Sequence, residues 1–105
     1  MSQTISFDTE RLSVRFDSGD HCEMEWSEVA AVAVYRLDLV TRQLLVLELE
    51  HESAHVLEVF NDENGWQELL GHVLHRYGLD RERVLPVLEA IDAGDEPFVI
   101  YRRQA

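Results

Sequence analysis

The chain has 105 residues, 46% of them hydrophobic and 29% charged, a composition that excludes a disordered chain and predicts one globular domain over residues 1–105. Acidic residues number 21 and basic residues 9, every one of them arginine, which gives a formal net charge of −12. A field of this sign repels phosphate backbones and anionic lipid headgroups, so we expect no binding to nucleic acid or membranes, whereas basic protein partners and cations are favoured.

Short strands are predicted at the start of the chain. Ile5 and Phe7 alternate with polar neighbours, and so do the apolar residues within 12–16, which is typical of strands with one buried face. Residues 18–20 read Ser-Gly-Asp, a turn signal, and a third alternating run follows. A hairpin of the second and third strands would bury all of their apolar side chains on one face. Its pairs would be Phe16 with Cys22, Val14 with Met24, and Leu12 with Trp26.

Residues 29–37 are ambiguous from their composition. The alanines and an N-cap at Ser27 allow a helix, whereas the valines and Tyr35 favour a strand. We predict a strand, because the flanking segments have the alternation of a sheet. Val40 and Thr41 are then expected to turn the chain.

A second hairpin is predicted from leucines at alternate positions within residues 43–50 and an apolar run over residues 54–60. Glu48 and Glu50 alternate with those leucines, so we expect them to face outward. A three-residue loop at 52–54 fixes the register. The facing pairs would be Leu49 with Leu57, Leu47 with Val59, and His51 with His55.

Helical periodicity dominates the next segment. The apolar residues of the predicted helix at 64–77 follow the spacing of one buried face: they are Trp66, Leu69, Leu70, Val73, Leu74 and Tyr77. Asn61 or Asp62 is expected to cap its start, and Gly78 to end it in the left-handed conformation. Both tryptophans, Trp26 and Trp66, lie on apolar faces and are interpreted as core residues.

The C-terminal segment predicts a short helix and a last strand. Residues 79–92 have helical spacing interrupted by Pro86, which either starts a second helix or kinks one. Residues 93–97 form a loop, and the β-branched and aromatic run at 98–103 predicts a strand that rejoins the sheet.

Short local motifs accompany this order of elements: Trp26-Ser27-Glu28-Val29 before a strand, Asp38-Leu39 after it, Asn64-Gly65-Trp66 at the helix start, and Ile100-Tyr101-Arg102 near the end. With them, about residues 5–103 resemble a group of small bacterial proteins with a pleckstrin-homology-like fold. The resemblance implies an α+β fold: a strongly bent antiparallel sheet of about six to seven strands, one long amphipathic helix packed against it and a short helix near the C-terminus.

The resemblance implies no function, because one fold serves many. Phosphoinositide-binding members of the wider fold use basic loops. The corresponding hairpin here, residues 16–22, carries Asp17 and Asp20 instead, and this departure argues against lipid binding.

Histidines are the candidates for metal chemistry. His51 and His55 would face each other across the hairpin end, and Glu68, His72 and His75 would follow one face of the long helix. Metal sites need three or four converging ligands, and the helix lacks the His-Glu-x-x-His pattern of metalloproteases. We therefore predict no metal site, and interpret both sets as solvated polar surface.

Catalytic and cofactor motifs are absent from the sequence. No phosphate loop and no Gly-x-Ser-x-Gly segment occurs, and Cys22 falls on an apolar face, where a thiol is unreactive. We expect a protein that is not an enzyme and needs no cofactor. A single cysteine, a start without a signal peptide and apolar runs too short to span a bilayer predict a cytoplasmic protein.

Three functional hypotheses follow. The first is a non-catalytic protein-interaction domain with an acidic binding surface, for example an immunity-type inhibitor of a basic toxin. The alternative is a small metal-binding protein or enzyme that uses the surface histidines. The third is a homo-oligomer that pairs through an exposed edge strand at residues 98–103. The charge also has a simpler interpretation, in which it serves solubility alone.

Overall fold

The computed structural model describes residues 3–104, which form an α+β structure of two antiparallel sheets and two helices. The elements are β1 (Gln3–Phe7), β2 (Arg11–Phe16), β3 (His21–Glu25), β4 (Val29–Asp38), β5 (Gln43–His51), β6 (Val56–Phe60), α1 (Trp66–Arg76), α2 (Arg81–Ala90) and β7 (Phe98–Arg102). The three-stranded sheet has the order β1-β2-β3, and the four-stranded sheet has the order β6-β5-β4-β7. The predicted α+β class and antiparallel pairing are confirmed, with the strands divided between two sheets.

The core lies between the four-stranded sheet on one side and the three-stranded sheet and helices on the other. Buried side chains from strands β2 to β7 and from both helices form one hydrophobic cluster, and partly buried side chains of β1 pack against it. Trp26 and Trp66 belong to it and are 3% and 5% exposed, so the interpretation of both as core residues is confirmed. Each strand thus buries one face, as alternation predicts.

The β2–β3 hairpin differs from its predicted register by two residues. Leu12 pairs with Met24 and Val14 with Cys22. The loop is shorter than predicted, because the Phe16 amide already donates to the Asp20 carbonyl at 2.9 Å. An even shift leaves the same side chains on the buried face, so the pattern of apolar residues could not distinguish the two registers.

Trp26 lies outside β3, in a 3-10 turn over Trp26–Glu28 that leads into β4. Its backbone amide donates to the Glu10 carbonyl and its indole Nε1 donates to the Asp8 carbonyl, both at 2.9 Å. The predicted partner of Leu12 is therefore wrong. A buried indole N–H requires an acceptor, and the loop after β1 supplies one.

Residues 29–37 lie within β4, so the predicted strand is confirmed and the helical alternative is wrong. β4 is the longest strand and pairs with both β5 and β7. Val40 and Thr41 form the turn, as predicted: the Leu39 amide donates to the Arg42 carbonyl at 2.8 Å.

The β5–β6 hairpin has the predicted register, with Leu49 opposite Leu57 and Leu47 opposite Val59. Its three-residue loop repeats the hydrogen bonds of the β2–β3 loop. In the first loop the third residue is Gly19, with φ 91°, and in the second it is Ala54, with φ 75°. The same left-handed position is thus filled once by glycine and once by a residue that has a Cβ atom.

Replacing Ala54 with glycine is expected to raise the free energy of unfolding by about 0.5–1 kcal/mol. Relief of left-handed strain, roughly 1–2 kcal/mol, outweighs the extra chain entropy of glycine in the unfolded state. The matched control is Gly19→Ala, which should destabilise by a similar amount. Urea denaturation of both variants measures the effect, and a destabilised Ala54→Gly variant would contradict this account.

α1 begins later than predicted, at Trp66, and neither predicted cap is used. The Asn61 side chain accepts from the Leu45 amide at 3.1 Å, and Asp62 forms an ion pair with Arg42 at 3.1 Å. The residue before the helix is Gly65, with φ 94°. The Asn61 side chain therefore holds the end of β6 to β5, and the Asp62 side chain holds it to the β4–β5 turn.

The end of α1 is as predicted, because Gly78 is left-handed with φ 72°. The Leu79 amide closes the turn onto the Leu74 carbonyl at 2.8 Å, which is the bond of a Schellman motif. Asp80 then caps α2 by accepting from the Glu82 amide at 3.0 Å. Pro86 lies inside α2 rather than at its start.

Gln3 joins the two sheets through its side chain. It is only 5% exposed; its Nε2 donates to the Glu58 carbonyl at 2.9 Å, and its Oε1 accepts from the Phe60 amide at 3.4 Å. One amide side chain thus provides the donor and the acceptor that a neighbouring strand would offer to β6. The Gln3 backbone amide in turn donates to Glu63 Oε2 at 2.9 Å.

β7 rejoins the sheet as predicted and pairs with β4. The Tyr101 ring of β7 stacks on the Tyr77 ring after α1, with ring centroids 4.2 Å apart. Beyond the strand, the Arg103 amide donates to the Ala30 carbonyl at 2.7 Å. The last strand is therefore fixed to both the sheet and the helical layer.

Candidate functional site

The outer face of the four-stranded sheet is the side turned away from the hydrophobic core. On β5, Leu47 and Leu49 point into the core, whereas Leu44, Val46 and Glu48 alternate with them on the outer face. Leu44 and Val46 are 7% and 0% exposed, yet neither belongs to the core cluster. Neighbouring side chains on the outer face therefore bury them.

Acidic residues occupy one half of the outer face. Glu48 of β5 lies opposite Glu58 of β6, and Glu50 follows on the same side of β5. None of these three carboxylates forms an ion pair with a residue in 3–104. Like charges directly opposite each other destabilise a sheet, so the Glu48–Glu58 pair works against the stability of the fold.

Tyr35 of β4 reaches across β5, and its hydroxyl donates to Glu58 Oε2. This hydrogen bond crosses β5 beside Val46, the residue paired with Tyr35. The Tyr35 side chain therefore helps to bury Val46. Partial burial, and then the Glu58 carboxylate, raise the pKa of Tyr35 well above its usual range. The hydrogen bond from the Tyr35 hydroxyl orients the Glu58 carboxylate.

The other half of the outer face is apolar and contains a shallow pocket of about 250 Å³. Its lining comes from the ends of β4, β5 and β6: Leu37, Leu39, Arg42, Leu44, Phe60 and Asp62. Val40, at the tip of the adjacent turn, is fully exposed. Arg42 and Asp62, both among the lining residues, form an ion pair with each other beside the apolar side chains.

The predicted histidine pair at the β5–β6 loop is opposite in register but does not converge. The His51 amide donates to the His55 carbonyl at 2.7 Å. The His51 ring, however, contacts the Ser53 hydroxyl through Nδ1 at 2.8 Å and lies 3.6 Å from Glu28 Oε1 through Nε2. His55 is exposed, so the pair presents no shared coordination position.

The predicted candidates on α1, which are Glu68, His72 and His75, do not form a common site either. Glu68 and His75 are exposed, but His72 is half-buried between the Phe7 and Trp26 rings, at centroid distances of 5.0 and 5.1 Å. The prediction of a solvated His72 is therefore wrong, because the three-stranded sheet covers that side of α1. Burial, and then nearby positive charge, lower the pKa of His72. Within residues 3–104, no group of three or more His, Cys, Asp or Glu side chains is placed to hold a metal ion.

A hydroxyl–imidazole contact on the outward side of the three-stranded sheet was not predicted. Ser13 Oγ lies 2.7 Å from His21 Nε2, and Glu23 Oε2 lies 3.7 Å from the same nitrogen. In a hydrolytic triad the carboxylate holds the opposite ring nitrogen, so these residues do not form one. Ser13 and Glu23 are strand partners, which the correct register would have revealed.

Neither helix in the described part of the chain is long and apolar enough to cross a membrane. Comparison with family models, with curated proteins and with solved structures gave no match.

Proposed function

We propose that this protein is a non-catalytic, cytoplasmic interaction domain that binds a basic protein partner through the outer face of its four-stranded sheet. One observation carries the proposal: Glu48, Glu50 and Glu58, without ion-pair partners in residues 3–104, lie on the same sheet face as an apolar pocket. Charged and apolar groups side by side on one accessible face suit a protein surface better than a small metabolite.

The partner's chemistry follows from the two halves of the face. Arginine or lysine side chains would pair with the three carboxylates, and an apolar side chain would enter the pocket beside Phe60. The net charge of −12 would steer such a partner toward the domain and speed association. An immunity-type inhibitor of a basic toxin is one form of this function.

We also propose that the two sheets correspond to a pleckstrin-homology-like arrangement. The chain passes from the first sheet to the second through the 3-10 turn Trp26–Glu28, and the Gln3 side chain connects β1 to β6. Both features support a single continuous, bent β-sheet around the core. An acidic binding face would distinguish this protein from lipid-binding members of that fold.

The test compares two triple variants that remove the same number of charges. Glu48, Glu50 and Glu58 are changed to glutamine in the first, and the exposed helical residues Glu68, Glu82 and Glu89 in the second. Affinity capture from host extract at low and high salt is expected to retain a basic protein with the wild type and the helical control. The outer-face variant should bind it at least about tenfold more weakly.

Titration of the captured partner by calorimetry gives the affinity, and thermal melting confirms that both variants are folded. Equal affinity of the two triple variants would refute the outer face as the binding surface. Binding that is insensitive to salt would refute the electrostatic part of the proposal.

A further inference from the structure

The β4–β5 hairpin extends beyond the strands on both of its sides. Toward the tip of the hairpin, β7 pairs with β4 only as far as Val34, and β6 pairs with β5 only as far as Val46. The hairpin continues past these points to a loop of two residues, Val40 and Thr41. Within residues 3–104, the tip is therefore not flanked by another strand on either side.

The residues of this loop are unfavourable for the turn that they form. Two-residue hairpin loops prefer asparagine, aspartate and glycine, which adopt the positive φ of the type I′ and II′ turns. Valine and threonine are β-branched residues that favour strands, and neither Val40 nor Thr41 has a positive φ. The backbone of the loop therefore lacks the twist that matches paired strands. A departure from a local folding rule that brings the fold no benefit points to a functional role.

The Val40 side chain is also unfavourable in water, because it is apolar and fully exposed. The other exposed valines, Val56, Val87 and Val99, are at most 50% exposed. Leu39, which precedes Val40 and lines the apolar pocket of the outer face, is 38% exposed. The loop thus extends the apolar surface of the pocket, and a continuous apolar surface of this kind is typical of a protein interface.

We propose that Val40 enters an apolar cavity on the basic partner protein, while the pocket beside it receives an apolar side chain of the same partner. This inference rests on the proposed function, in which the three carboxylates of the outer face select a basic partner. Glu50 lies nine residues beyond Thr41 along β5, a distance of about 30 Å at about 3.3 Å per residue. An interface of standard size buries about 800 Å² of each partner and is roughly 30 Å across, so the tip and the carboxylates fit within one interface.

Exchange of the loop residues separates their effect on binding from their effect on folding. Val40→Asn combined with Thr41→Gly supplies the residues that a type I′ turn prefers and removes the exposed valine. We expect the melting temperature to rise by about 2–5 °C, and the affinity for the basic protein captured from host extract to fall at least about tenfold. A melting temperature no higher than that of the wild type would show that the fold itself favours Val40 and Thr41, and would overturn the proposal independently of any partner.

Single variants isolate the contribution of the valine side chain. Val40→Ser should weaken binding of the captured protein at least about tenfold, measured by calorimetry. The matched control is Val87→Ser, at a 42% exposed position on α2, which should leave the affinity unchanged. If Val40→Ser binds as tightly as the wild type while the outer-face triple variant binds weakly, the proposed function stands and the role of Val40 is refuted. If both bind as tightly as the wild type, both proposals fail.

Discussion

The Trp26→Ala variant is expected to lose about 4 kcal/mol of unfolding free energy, which would leave little of the stability of a domain this size. Trp26 is 3% exposed and lies where the two sheets and α1 meet. Its indole Nε1 donates to the Asp8 carbonyl, its ring packs against His72, and the Arg76 guanidinium lies 5.2 Å above it. Alanine removes all three contacts and leaves a cavity.

Trp26→Phe is the matched control for this site. It retains an aromatic ring beside His72 but lacks the indole N–H, so the expected loss is about 1–2 kcal/mol. Denaturant unfolding of both variants gives the two values. If the alanine variant lost no more than the phenylalanine variant, the ring contacts would not contribute as the packing implies.

Arg36→Met is expected to destabilise the protein by about 3 kcal/mol. The Arg36 guanidinium, on β4, donates to the Ile91 carbonyl through Nε at 2.6 Å and to the Leu88 carbonyl through Nη2 at 2.9 Å. These carbonyls end α2, where helical partners are missing and a positive charge is favourable. Methionine keeps the length of the side chain but leaves both acceptors without their donor.

Hydrogen exchange is the measurement that localises this effect. Amides of α2 should lose protection in Arg36→Met before those of β5, because the arginine holds the end of that helix to the sheet. The control is Arg83→Met, on α2 itself, whose guanidinium is exposed and lies 4.0 Å from Asp80. We expect less than about 0.5 kcal/mol for it, and equal losses in the two variants would contradict the role of Arg36.

The sequence predicted the fold best where two local signals agreed. In the β5–β6 hairpin, the alternating leucines and the short loop both require Leu49 opposite Leu57. In the β2–β3 hairpin, a five-residue and a three-residue loop bury the same side chains. Only the left-handed glycine at Gly19 distinguishes them, and the periodicity of the strands cannot detect a shift of two residues.

The candidate site was predicted only in part. Alternation placed Glu48 and Glu50 on an outward face, but the pocket near Phe60 depends on which strand ends meet, and this is set by tertiary contacts. His72 shows the same limit of sequence-based prediction. The spacing of the apolar residues identifies the broad core-facing side of α1, but not the second, narrower side on which His72 is buried. That second buried face exists because Phe7 of β1 and Trp26 of the 3-10 turn pack against His72.

The amide side chain that bridges β1 and β6 also bears on how copies of this protein can associate. Gln3 occupies the Glu58 carbonyl and the Phe60 amide, so the C-terminal half of the β6 edge has no room for an incoming strand. The opposite edge of that sheet, along β7, carries a bulge between Val99 and Tyr101, which breaks the regular row of hydrogen-bonding groups that an incoming strand needs. Pairing of copies edge to edge needs an uninterrupted row of backbone donors and acceptors, and within residues 3–104 both outer strands of this sheet interrupt that row. The glutamine of one sheet therefore protects the other sheet from aggregation through β6.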